Sequence, residues 1–229
     1  MYVLYIANKN YSSWSLRPWA LMRELGIPFE ERLTSFEKHR SENAFQNFSP
    51  TGQVPCLHDG ETIVWNSLGI VEYLAERHAG VWPSDAQARA WARCAAAEMH
   101  AGFGTLRTIC TMNCGIRVRL ATTPPALLRD VDRINALWNE GLARFGGPFL
   151  AGSAFSAIDA FFAPVAFRVQ TYGLTLDANG AAYVARLLAL PSVRSWEAAG
   201  LAETWRDEGH EVEARAAGTW TADLRAKSQ

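Results

Sequence analysis

The chain has 229 residues, 49% of them hydrophobic and 20% charged, with a formal net charge of -1. That length and apolar content can bury a full core in one large or two modest domains, and they exclude a disordered chain. A near-neutral balance with no lysine- or arginine-rich block excludes nucleic acid or an anionic membrane surface as the standing partner, and a small polar or amphipathic ligand fits better.

The segment Met1 to Ala7 has no basic leader and runs at once into Asn8-Lys9-Asn10, so it reads as a first strand, Tyr2 to Ala7, rather than a signal peptide. No segment approaches the roughly 20 apolar residues that span a bilayer, and a cytoplasmic protein is expected. A helix opens at about Ser15 with Pro18 in its first turn, where a missing N–H costs little, and stops at Gly26 with Pro28 just beyond. Phe29 to Leu33 is extended. Val54 to Leu57 and Thr62 to Trp65 flank His58-Asp59-Gly60-Glu61, whose Asp-Gly is the strongest local hairpin signal in the chain. A helix from Ser67 to about His78 follows.

Residues 1–80 thus alternate strand and helix as a sheet covered by helices does, and the domain boundary falls near 80 to 86. Residues 86–229 read as almost wholly helical, interrupted at Pro124-Pro125 and at Gly146-Gly147-Pro148. Ser156-Ala157-Ile158-Asp159 resembles a capping box with aspartate as its acidic member, opening a helix that is apolar on nearly every side from Ala160 to Val169. Such a helix belongs at the buried centre of its domain. Cys56, Cys94, Cys110 and Cys114 show neither a C-x-x-C pair nor the spacing of a structural zinc site, so reduced thiols and no metal are expected.

Tyr11-Ser12-Ser13-Trp14-Ser15 lies between the first strand and the first helix, where hydroxyls and N–H groups meet the positive end of a helix dipole and suit an anion. A thiol of cysteine type titrates near ~8.5, and a hydroxyl donating to the thiolate stabilises it. Plain helix capping by the serines is the alternative. Pro55 stands within an extended run, which calls for an edge strand or a cis Val54-Pro55 bond. With a cis bond, the Val54 N–H and C=O turn outward to pair with an extended peptide. Asn66-Ser67 opens the next helix and suits a carboxylate, or simply caps it.

These motifs together resemble the glutathione transferase superfamily, serine-type, as in its zeta and tau classes. Tyr11 to Pro18 is similar to the active-site loop, Ser49 to Leu57 to the Asn-Pro-x-Gly-x-Val-Pro-x-Leu segment, Trp65 to Leu74 to the Glu-Ser-x-Ala-Ile-x-x-Tyr-Leu element, and Ser156 to Asp159 to the capping box of the helical domain. The resemblance implies an α/β thioredoxin-like N-terminal domain plus an all-α helical-bundle C-terminal domain, glutathione as co-substrate, a small electrophilic substrate, a detoxifying transferase activity and a homodimer. It also implies that Ser12, with Ser13 as runner-up, hydrogen-bonds the glutathione thiol. Val54 then pairs with the cysteinyl backbone, Ser67 with Asn66 holds the γ-glutamyl group, and Gln53 with Lys38 or His39 reaches the glycine end.

Asn66 departs from the family's glutamate or glutamine, losing reach and, against glutamate, charge. Trp14 replaces the cysteine of zeta enzymes, which weighs against the maleylacetoacetate isomerase role. Further along, Ala96, His100, Phe103, Arg107, Cys110, Cys114 and Arg117 recur at spacings of four and three, sharing one face if a helix runs that far, with Cys110 and Cys114 one turn apart. The resemblance makes His100, Arg107 and Met112 candidates to meet an electrophilic or anionic second substrate; a core stripe with a snorkelling arginine is the alternative.

The competing functions are a glutathione-dependent isomerase or peroxidase and a non-catalytic glutathione-binding or protein-interaction member of the fold. A disulfide oxidoreductase using Cys56 is weaker, because a redox cysteine belongs in the loop that Ser12 and Ser13 occupy.

Overall fold

The computed structural model describes residues 1–225; residues 226–229, which the helical-domain reading included, lie outside the described residues. The N-terminal part runs β1 (Tyr2–Ile6), α1 (Ser13–Glu24), β2 (Phe29–Leu33), α2 (Phe36–Glu42), a 3-10 turn (Ala44–Asn47), β3 (Cys56–Asp59), β4 (Thr62–Trp65) and α3 (Ser67–Ala75). The sheet order is β2-β1-β3-β4. β1 lies parallel to β2, with Tyr2 opposite Phe29, and antiparallel to β3, with Leu4 opposite Leu57. Because strand side chains alternate in direction, Leu4 and Ile6 share one face and join Leu57 in a core with Leu16, Ala20, Ile70 and Leu74 from α1 and α3. Each such buried aliphatic side chain contributes roughly 1.5–3 kcal/mol.

α1 starts at Ser13 rather than Ser15, so Pro18 sits inside the helix and not in its first turn. Its missing N–H leaves the Trp14 carbonyl without the usual helical donor. β3 begins at Cys56, and the Val54–Pro55 bond ahead of it is cis. Pro55 therefore precedes the ladder instead of interrupting it. Asp59 pairs with Thr62, which makes Gly60-Glu61 the tight loop, with Gly60 at φ +59°.

The second part comprises α4 (Ala86–Ala101), α5 (Gly104–Ile109), β5 (Ile116–Leu120), α6 (Pro125–Phe145), α7 (Ala157–Tyr172), α8 (Ala178–Ala189), α9 (Pro191–Ala202), α10 (Glu208–Ala217) and β6 (Gly218–Asp223). Every residue of α7 from Ala157 to Arg168 is buried, and the helix packs on α1, α4, α8 and β5. The capping box forms: the Asp159 carboxylate accepts the Ser156 N–H at 3.0 Å, the Leu150 N–H at 3.1 Å and the Tyr183 hydroxyl at 2.7 Å.

The second part is helical as expected, except for the antiparallel pair β5–β6, which the sequence reading did not include. Ile116-Arg117-Val118-Arg119-Leu120 has the alternation of a half-buried strand, but its partner lies about a hundred residues on. The expected stripe from Ala96 to Arg117 is corrected. α4 ends at Ala101, Phe103 adopts φ +55°, and a side chain on Gly102 would meet the Glu98 carbonyl at 2.7 Å. Arg107 is on α5, Cys110 just past it and Arg117 on β5, so Cys110 and Cys114 are not one helical turn apart. Both are buried and free, as is Cys56, while Cys94 is free and exposed.

Candidate functional site

Between the sheet and α5, α7 and α10 lies a cleft of about 980 Å³. One wall is the loop from β1 into α1. Tyr11 and Ser12 both donate their N–H groups to the Asn8 carbonyl, and the Ser13 N–H donates to Tyr11 O at 2.9 Å. That contact closes an inverse γ-turn about Ser12, at φ −79° and ψ 82°. Ser12 and Ser13 line the cleft although each is under a tenth exposed. The Ser12 hydroxyl donates to Ser15 Oγ at 2.7 Å, and Ser15 Oγ accepts the Ala7 N–H at 3.4 Å.

The opposite rim on the sheet side is built by the chain entering β3 and α3. Gln53, Val54, Asn66 and Ser67 all line the cleft. Among the described residues, no backbone group bonds the Val54 N–H or C=O. Asn66 caps α3 by accepting the Leu68 N–H at 3.1 Å, and it does so at φ +69°, a conformation that costs a non-glycine residue about 1–3 kcal/mol. The Ser67 hydroxyl is fully buried and accepts from Arg17 Nη1 at 3.4 Å.

His39 also lines the cleft, stacked 4.0 Å from the Phe45 ring, with its Nδ1 accepting the Phe45 N–H at 3.2 Å. An accepting Nδ1 places the ring proton on Nε2, where it serves as a donor. Lys38 is exposed and does not line the cleft.

The helical side contributes Arg107, Thr108, Thr111, Met112 and Arg168. His100 does not reach the cleft: its ring stands edge-on to Trp14 at 5.0 Å, its Nδ1 is buried without a partner, and burial with the Arg17 and Arg107 charges lowers its pKa. Two guanidinium groups stand over the Trp14 ring, Arg17 at 4.2 Å and Arg107 at 4.6 Å from its centre. Cation–π attraction of this kind contributes about 0.5–2 kcal/mol.

α10 closes the cleft with His210, whose Nδ1–H donates to Asp207 at 2.6 Å and whose ring stacks on Tyr11 at 5.0 Å. Cys56 lies outside the cleft and burial pushes its thiol up to about 11, which removes the thiolate a redox role needs. Sequence reasoning missed Arg168 and His210. Arg168 carried a usable signal, as the charged residue in the otherwise apolar run from Ala160 to Val169; His210 carried none.

The glutathione S-transferase N-terminal domain profile matches residues 11–77, and the C-terminal domain profile matches residues 116–208. The chain belongs to the glutathione S-transferase superfamily. The dichloromethane dehalogenase of Methylorubrum extorquens is 42% identical to this family member over 65 residues, 27% of this chain and 23% of that enzyme, so the match spans under a quarter of the dehalogenase. The glutathione S-transferase-like protein OpS6 of Beauveria bassiana is 24% identical over 172 residues, covering 70% of this chain and 76% of OpS6. Among solved structures, a Burkholderia glutathione transferase homolog with bound glutathione aligns over 87% of this chain and 97% of its own, at TM-score 0.65 and 23% identity. An unclassified glutathione S-transferase from Bombyx mori aligns over 95% and 99%, at TM-score 0.71 and 18% identity. At these identities the structural likeness speaks for the fold. Among the described residues no helix is long and apolar enough to cross a membrane.

Proposed function

We propose that this chain is a glutathione transferase in which the Ser12 hydroxyl donates to the glutathione sulfur and holds it as thiolate for attack on a small electrophile. The observation that carries this reading is convergence: Ser12, the unengaged Val54 backbone and the Asn66-Ser67 start of α3 face one cleft. Glutathione laid across them pairs its cysteinyl backbone with Val54 as a short strand does. Its γ-glutamyl end meets Ser67 and Asn66, and its glycine end meets Gln53 and the His39 Nε2–H, with Lys38 further out. Residues 1–80 are then the glutathione-binding domain and residues from 86 onward supply the acceptor side, in a cytoplasmic homodimer.

Donation to sulfur requires one change in the loop. Ser12 must turn its proton from Ser15 to the thiol, while Ser15 donates to Ser12 Oγ in exchange. Hydroxyl hydrogens rotate freely enough for this, and the resulting chain from Ala7 N–H through Ser15 to Ser12 is mutually polarising. Each unit by which the thiol pKa falls from ~8.5 is about 1.4 kcal/mol in favour of thiolate.

One observation favours a binding-only protein instead: the Asn66 side chain is short and already spent on capping α3. Titrating the ultraviolet absorbance of the bound thiolate separates the two. A depressed thiol pKa in wild type, restored by Ser12→Ala and not by Ser13→Ala, supports the transferase; glutathione bound with an unshifted thiol selects the binding-only protein.

A further inference from the structure

Arg17 and Arg107 stand over the Trp14 ring, Arg168 lies close enough to both to feel their charge, and among the described residues none of the three is ion-paired to a carboxylate. Arg168 is 5% exposed, and its Nη1 donates to the carbonyls of Arg107 and Cys110, closing the C-terminal end of α5. Its Nε is buried without any partner, as is that of Arg17. Arg107 spends one N–H on the His100 carbonyl at 3.1 Å. A guanidinium carries five N–H donors, so Arg107 and Arg168 both retain donors at the cleft they line.

Electrostatics agree with that geometry. Burial lowers the pKa of Arg107, and burial with the neighbouring guanidinium charges brings Arg17 down to about 9 and Arg168 to about 10. All three stay protonated at neutral pH, so the cluster bears mutual repulsion and lost hydration that Trp14 offsets only in part. Glu213 also lines this cleft, and among the described residues it makes no ion pair with Arg107 or Arg168. An uncompensated cationic cluster at the edge of a cleft is a site for an anion.

We infer that Arg107 and Arg168 form an anion subsite for the second substrate, which is a small electrophile bearing a carboxylate. This rests on the transferase reading only for the word substrate: glutathione occupies the Val54 and Ser67 side, and the two arginines sit across the cleft on α5 and α7. The carboxylate bridges the guanidinium groups, and the body of the acceptor lies against Trp14 and Met112.

The test compares binding of para-nitrobenzoate and para-nitrobenzamide, matched in shape and differing in charge, by calorimetry on the full chain with and without saturating S-methylglutathione. The expected result is a preference for the acid of about tenfold or more, as charge-assisted hydrogen bonds give. It persists with S-methylglutathione bound and falls below about threefold in Arg107→Met, with the amide bound as before. Arg168→Met is the second variant, and near-ultraviolet circular dichroism confirms that each is folded. Equal affinity for acid and amide, a preference that survives both substitutions, or displacement of the acid by S-methylglutathione overturns the subsite. Failure of S-methylglutathione to bind overturns the transferase reading instead, and the comparison in the free protein still decides the subsite.

Discussion

The Ser12 hydroxyl lies 2.7 Å from Ser15 Oγ, one turn into the helix it precedes, and Ser15 Oγ in turn accepts the Ala7 N–H. Ser15 is fully buried and does not line the cleft, so it acts on any bound thiol only through Ser12. Ser12→Ala is expected to raise the bound thiol pKa by about 1–2 units, the worth of one hydrogen bond to a charged group. Ser15→Ala should raise it by a fraction of that, because Ser12 keeps its own proton but loses the donor that polarises it. Thiolate absorbance against pH reads both, and Ser15→Ala matching wild type would rule out the relay.

Asn66 holds α3 by its side chain while its own backbone is strained at φ +69°. Asn66→Ala loses the cap, worth about 1 kcal/mol, and keeps the strain. Asn66→Gly loses the cap and relieves the strain, so its cost is expected to be under half that of the alanine variant. Urea melts of the two proteins check the order, and a glycine variant less stable than the alanine one contradicts the strain.

Asp159 is fully buried, and burial raises its carboxyl to about 6 despite four hydrogen bonds that favour the charged form. Its unfolded value is near 3.9. Between those two values the folded protein binds more protons than the unfolded chain, so this residue makes stability fall as pH rises from about 4 to about 6. Asp159→Asn should flatten that slope while keeping an acceptor for the Tyr183 hydroxyl. Asp159→Leu strands the Leu150 N–H, the Ser156 N–H and the Tyr183 hydroxyl and should cost about 3 kcal/mol or more. Urea midpoints across that pH range decide both.

What the sequence made legible follows the reach of each signal. The order of β1, α1, β2, the Gly60 hairpin and α3 was readable because each is a local pattern of period and turn chemistry. Pro55 narrowed its own backbone to an edge strand or a cis bond, and only the fold decides between them: the bond is cis and β3 begins one residue later. The pairing of β5 with β6 was not, because Ile116 and Asp223 meet across the helical part. The break at Gly102 and Phe103 was hidden by a spacing that continued as if helical. Nor could composition show that Arg107 and Arg168 lack acidic partners; that is a statement about neighbours in space.

The loop from β1 into α1 is tied to α10 and to the segment just past β6. The Tyr11 hydroxyl donates to Glu211 Oε1 at 2.6 Å; Arg225 donates to Tyr11 Oη at 3.1 Å, to both Glu211 oxygens and to Asp223. Glu211 is 3% exposed. Arg225→Met leaves that carboxylate buried beside a tyrosine that burial and Glu211 already hold strongly protonated, and should cost about 3–5 kcal/mol. The double variant Arg225→Met, Glu211→Leu removes both charges and should recover part of that loss, the remainder being the Tyr11 hydroxyl left without its acceptor. Because Tyr11 adjoins Ser12, the single variant should also weaken glutathione binding, while the double variant, whose Tyr11 still stacks on His210, keeps most of it. Thermal melts and glutathione titrations of the same three proteins test this together. Recovery of stability without recovery of glutathione affinity would mean that Arg225 holds the loop through its charge rather than through packing.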